Sequence, residues 1–238
     1  MSNKVGLFKH LFSLAVLLLA VPLSAQQSYV SRYDLYGGYA FLNSPHVNLF
    51  ENGFAFQGGV RVRRWLSLGV DYSRSTGDLK ITPDLLLPSL QQSLGAQLTA
   101  LAGAGRLPAG YSLNVPATSV TQTFAAGPQL AYRKLEHATI FFRPVFAGII
   151  HEVATPKPTD PIATAIVAQL APSGKKTNNV TFVGFGGGFD ILFSKHVGWR
   201  TQADLVYDHL FDDLLKDGRF TVRFSTGPCF NFGRNIER

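Results

Sequence analysis

The sequence predicts an all-β chain: an eight-stranded antiparallel up-and-down transmembrane β-barrel with long external loops, two of them carrying short helices. Three observations lead there. Eight segments alternate bulky apolar residues with small or polar ones, the two-residue period of a strand. The links between consecutive segments alternate long and short without exception. The final segment keeps its alternation for about thirteen residues, where strands usually run to about five or six.

The elements follow in order. The chain opens with Lys4, Lys9 and His10, then the apolar run LFSLAVLLLAVPL, then SAQQ. A basic start, a short apolar stretch and a small residue before a polar one make a secretory signal peptide, expected over 1–25 with cleavage after Ala25. The run is too short for a membrane-spanning helix, which needs about twenty residues. The remainder, 26–238, is expected to form the barrel. Its strands are expected at 33–41, 54–63, 66–74, 121–135, 138–153, 180–193, 197–207 and 218–233, with long loops at 75–120 and 154–179. About twelve residues join the first strand to the second, and about ten join the seventh to the eighth. Tight turns join the second to the third, the fourth to the fifth and the sixth to the seventh. Short turns on one side and elaborated loops on the other are the rhythm of a transmembrane barrel. In the first long loop Leu87, Leu90, Leu94, Leu98 and Leu101 recur at helical spacing, limited by Pro88 and the terminal glycines to three or four turns. In the second, DPIATAIVAQLAPSG is bounded by proline and glycine and has room for two to three turns. Both helices are expected to pack on each other or on the barrel rim.

A soluble sheet can alternate in the same way with its apolar face buried. Three features favour lipid instead. Thirteen residues at about 3.3 Å each, tilted near 40°, rise about 33 Å, more than the roughly 25 Å apolar band of an outer membrane. The polar faces mix glycine, alanine and serine with isolated Arg, Asp and Gln, which suits a narrow lumen filled by side chains. The signal peptide exports the chain. In hydrocarbon an unpaired strand edge is very costly, so the sheet must close. Aromatic residues near the strand ends, Tyr33, Phe41, Trp65, Tyr72, Trp199, Tyr207, Phe230 and Phe232, fit interfacial girdles.

On this parity a luminal polar network is expected from Asp34, Gln57, Arg61, Arg63, Asp71, Gln129, Arg133, Arg143, Asp190, Arg200, Gln202, Asp204 and Arg223. Six arginines and four aspartates are expected to pair with one another, because buried charges are costly unless paired. In the fifth strand Ile140, Phe142, Phe146 and Ile150 share the outer face, and Phe141, Arg143 and Val145 the inner one. Gly184, Gly186 and Gly188 make an inward groove across which Arg143 or Arg200 is expected to lie. That glycine run lacks the spacing and the following helix of a phosphate-binding loop.

RYDLYGGYAFL in the first strand, LSLGVDYS after a tight turn, and the aromatic-rich final strand resemble the OmpA-like outer-membrane β-barrel superfamily, over about 28–233. The resemblance is one of pattern. It implies a bacterial outer-membrane location and insertion by the barrel assembly machinery, which reads a final strand ending in an aromatic residue. Phe232 takes that place, with GRNIER after it. Some relatives carry a peptidoglycan-binding domain; none is read here, so wall anchoring is not implied.

Composition narrows the function. Of 22 Lys and Arg, Lys4 and Lys9 leave with the signal peptide; the remaining 20 face 15 Asp and Glu. That excess is small and scattered along the sequence, so no nucleic-acid partner is expected. Cys229 is the sole cysteine, so no intrachain disulfide forms; it reads as a small residue on the crowded face of the last strand. Asp208, His209, Asp212 and Asp213 cluster at the external end of the seventh strand, and His151 and Glu152 at that of the fifth. These read as polar rim residues. No serine is spaced to share the outer face with a histidine, as a lipid hydrolase requires, and no metal-binding spacing is present. No cofactor, metal or catalytic residue is expected. The expected partners are outer-membrane lipid, the assembly machinery and an unidentified external partner of the loops. The reading is a non-enzymatic barrel with a structural or surface-interaction role; a narrow diffusion pore and a lipid-modifying enzyme are the alternatives.

Overall fold

A computed structural model describes residues 27–209, 211–217 and 219–236. The expected signal peptide lies outside the described residues. The strands are β1 (Ser31–Ser44), β2 (Leu49–Arg61), β3 (Leu66–Ile81), β4 (Val115–Tyr132), β5 (Ala138–Pro156), β6 (Lys176–Leu192), β7 (Val197–Tyr207) and β8 (Phe220–Asn235). Each pairs antiparallel with the next, and β8 returns to β1. The register of that last pair sets Tyr33 beside Phe232 and Leu35 beside Phe230, so aromatic side chains seal the seam on the outside. Among the described residues no helix is long and apolar enough to cross a membrane.

Three tight turns and both ends of the described chain lie at one end of the barrel, hereafter the turn end. In the first turn the amides of Val62 and Arg63 donate to the Leu66 carbonyl, and in the third those of Phe193 and Ser194 donate to Val197. The opposite, loop end carries the longer connections. Two helices stand there, α1 (Pro88–Gly103) and α2 (Pro161–Leu170), each with proline in its first turn. The Asp160 carboxylate caps α2 by accepting from the Ala163 amide at 2.8 Å. Leu94 of α1 and Ala163 and Ile166 of α2 enter one apolar cluster, so the helices pack together over the barrel mouth.

Most strands run further toward the loop end than the alternation suggested. β3 extends to Ile81, β4 begins at Val115, and β5 continues to Pro156. The long loops shrink to 82–114 and 157–175. Between β1 and β2 the expected twelve-residue loop is a turn over 45–48, with Asn48 in the left-handed region at φ 50°. The reason is that the two faces exchange character beyond the apolar belt. On β3 the outer face passes from Leu68, Val70 and Tyr72 to Arg74, Thr76, Asp78 and Lys80, while Leu79 turns inward. The ladder of backbone hydrogen bonds continues, but the apolar signal changes sides.

A second departure is in β5. The pairing shifts by one residue between Arg143 and Phe146 on the β6 side, and in the same region on the β4 side. Pro144 has no amide to donate, and the extra residue makes a bulge there. Val145 therefore faces outward, and Phe146 and Ile150 point into the barrel, the reverse of the expected parity.

Candidate functional site

The barrel interior is built in three levels, and each takes its side chains from several strands. At the turn end, Arg200 of β7 is fully buried. Its Nε and Nη2 donate to the two Asp190 oxygens at 2.7 and 3.0 Å, Nη2 also reaches Asp34 at 3.2 Å, and Nη1 reaches Gln57 at 2.6 Å. The guanidinium lies 4.9 Å from the Phe141 ring centroid and 5.6 Å from that of Tyr36. Arg61 pairs with Asp34 at 3.5 Å and donates to the Ser31 carbonyl, the Ser31 hydroxyl and Asn231.

The middle level is a four-membered ring. Arg143 of β5 and Arg223 of β8 each pair with both Asp71 of β3 and Asp204 of β7. Arg223 reaches Asp204 at 2.8 Å and Asp71 at 3.2 Å; Arg143 reaches Asp204 at 3.2 Å. Four strands are thus tied across the lumen. The ring rests on Phe146, whose centroid is 4.0 Å from the Arg143 guanidinium carbon. Chain-long alternation explains why all eight charges point inward. Their pairing follows from solvation, since an unpaired ion in this interior would be prohibitively costly.

The glycine groove serves other residues than expected. A Cβ on Gly184 would meet the Phe146 ring at 2.6 Å, and one on Gly186 would meet an Asp204 oxygen at 2.1 Å. The groove is therefore filled by Phe146 and Asp204, not by Arg143 or Arg200.

Of the thirteen residues named from the sequence, Asp34, Gln57, Arg61, Asp71, Arg143, Asp190, Arg200, Asp204 and Arg223 meet in these two levels. Gln129 and Gln202 are buried in the wall beside them. Arg133 lies past the end of β4 and donates to the Arg64 carbonyl and the Thr139 hydroxyl at the turn-end mouth. Arg63 departs from the expectation: β2 ends at Arg61, the turn breaks the parity, and Arg63 is exposed.

The third level was not legible as a unit. Beyond the apolar belt, Glu51, Glu152 and Asp208 are all buried, and none forms an ion pair with Lys or Arg among the described residues. Both carboxyl oxygens of Glu51 and of Glu152 lack a hydrogen-bond partner that meets strict geometry. Burial pushes Glu51 and Asp208 up to about 7, and burial together with the nearby Asp208 and Glu51 raises Glu152 well above the usual carboxylate range. Over them sits the apolar cap, in which Val47, Leu86, Leu94, Ile166, Phe211 and Leu215 come from all four loop-end connections. Leu86 and Leu215 form a β-bridge between two loops, flanked by the Leu87 amide donating to Leu214 and the Lys216 amide donating to Leu85. Phe211 is buried with φ at 46°, a conformation its neighbours must enforce. At the rim His151 meets Asn179 at 2.6 Å, and no group of metal-binding side chains occurs among the described residues.

No protein-family model matches the sequence, and no curated protein matches it. Solved structures that are similar include Ail of Yersinia pestis in complex with the heparin analogue sucrose octasulfate, at 13% identity over 85% of this chain and 99% of that one, with a TM-score of 0.48. Neisserial surface protein A matches at 10% identity, covering 84% and 96%, with a TM-score of 0.46. The outer-membrane protein OprG of Pseudomonas aeruginosa matches at 7% identity, covering 88% and 100%, with a TM-score of 0.48. By its closed eight-stranded antiparallel topology and its apolar outer face, the chain has the fold of the small outer-membrane β-barrels.

Proposed function

We propose that this chain is a non-enzymatic, non-conducting barrel of the bacterial outer membrane that displays a packed cap at the outer surface, through which it meets an external partner. The observation that carries this is the closure of the lumen at two heights. The Arg143–Asp71–Arg223–Asp204 ring spans the interior, and the apolar cap covers the loop end. An ion entering from either side meets the paired charges of the ring or the apolar plug of the cap. Export by the amino-terminal segment and insertion by the barrel assembly machinery belong to the same reading. Phe232, facing outward and stacked on Tyr33 at 5.5 Å, offers that machinery its aromatic. Planar bilayers containing the purified protein test it. A silent membrane is expected, and stable unitary conductance steps would replace this reading with the pore. Biotinylation of Lys157 and Lys175 on intact cells locates the cap, and labelling only after lysis would reverse the orientation.

A further inference from the structure

The chain's positive charge is not spread evenly over the fold. In the barrel interior four arginines face four aspartates. At the loop end eight Lys and Arg face nine Asp and Glu. At the turn end seven cationic residues face one acid, Glu136, among the described residues. They sit at all four corners of that rim. Arg63 and Arg64 are in the first turn, Arg133 and Lys134 in the second, and Lys195 in the third. Arg32 and Arg234 flank the β1–β8 seam. Among the described residues none of the seven forms an ion pair with a carboxylate.

We propose that this rim is a ring-shaped binding surface for the phosphates of anionic phospholipids in the leaflet that meets the turn end. The inference rests on the membrane-spanning reading. Three features select a lipid. The cations encircle the barrel rather than gathering on one side, so the complementary surface must also surround it. They lie directly beneath the exposed aromatic residues Trp65, Tyr132, Phe193 and Trp199, where headgroups adjoin hydrocarbon. The Lys134 ammonium sits 5.9 Å from the centroid of the Tyr132 ring, a cation held against an exposed aromatic face. Burial, and then the nearby Arg61, push Arg133 down to about 9.

The test uses full-length mature protein in bilayers of phosphatidylcholine with a minor fraction of phosphatidylglycerol. Spin-labelled versions of the two lipids report how many of each are held at the protein surface. Each cation near an anionic surface contributes enough for about a fivefold preference, so phosphatidylglycerol is expected to be held at least about fivefold more strongly. Neutralising one exposed cation per corner (Arg32→Gln, Arg63→Gln, Lys134→Gln and Lys195→Gln together) is expected to bring the preference close to one. Neutralising Arg74, Lys80, Lys157 and Lys175 at the loop end is expected to leave it. Heated and unheated gel mobility verifies that each variant is folded. Equal retention of both lipids by the wild type overturns the inference, as does loss of preference in the loop-end variant alone. Binding to isolated peptidoglycan sacculi without a lipid preference overturns it in favour of a polymer partner. A protein that stays outside the bilayer removes the membrane reading itself; one that inserts but holds both lipids equally removes only the lipid ring.

Discussion

The barrel wall and the loop-end cap are built inside out with respect to each other. In the wall the large apolar side chains are exposed and the charges are buried: Val70 is 63% exposed and Arg200 0%. In the loop-end connections the large apolar residues turn inward, and none from 82–114 or 157–175 is among the exposed large hydrophobic side chains. One chain thus satisfies two solvents. The wall buries polar groups because hydrocarbon gives them no partner, so they must find partners in the lumen. The cap buries apolar groups because water surrounds it. The crossing falls within single strands, near Tyr72 on β3 and between Ile149 and Glu152 on β5.

Three changes would break or sharpen this contrast. The largest effect is expected in the wall's ionic interior. Arg223→Met leaves Asp71 and Asp204 short of a cation and should cost about 3–5 kcal/mol, read as a lower midpoint for loss of the unheated gel band in detergent. The mirror change at an exposed cap cation, Arg106→Met, should be near neutral. Equal effects would mean that the interior is wet. Next is the outer face. Val70→Arg, near the middle of the apolar belt, should cost about 2–4 kcal/mol in a bilayer. Gln92→Arg on the exposed side of α1 should stay within about 0.5 kcal/mol. A neutral Val70→Arg would show that water, not lipid, bathes the wall.

The smallest and most local effect concerns the boundary. Glu51, Glu152 and Asp208 are raised in the folded state. Their contribution to cap stability is therefore complete below about pH 4, the unfolded carboxylate range, and is lost as pH rises through about 7. Hydrogen exchange at the Leu87 and Lys216 amides, corrected for its intrinsic pH dependence, should speed up across that interval. Amides of the wall should not follow. The triple change Glu51→Gln, Glu152→Gln and Asp208→Asn should abolish the dependence; its persistence would place the titration elsewhere.

How much was legible varied by region for physical reasons. The eight strands and their tight turns could be read because hydrocarbon enforces one parity over the whole belt. That same parity pointed nine of the paired residues inward. It failed at Arg63, where a turn ends the strand, and at Phe146, where a single extra residue at Pro144 inverts everything after it until the belt ends. It also failed above the belt. Leu79 and Ala117 point inward as the period requires, but outward neighbours such as Asp78, Lys80 and Thr118 are polar, so the alternation no longer stood out. Glu51, Glu152 and Asp208 come from three separate strands or strand ends, and nothing local marks them as neighbours.

The one-dimensional pattern by itself determined that this chain forms long strands with an apolar and a polar face, that the strands number eight, and that short and long connections fall on opposite ends. Those properties depend on period and spacing, which are local. Only the tertiary structure decided which arginine meets which aspartate, that Phe146 fills the space beside Gly184, that three uncompensated carboxyls share a roof of leucines, and that the surplus cations gather at one rim. Those properties depend on the register of strands distant in sequence, and register is set by closing the whole barrel at once.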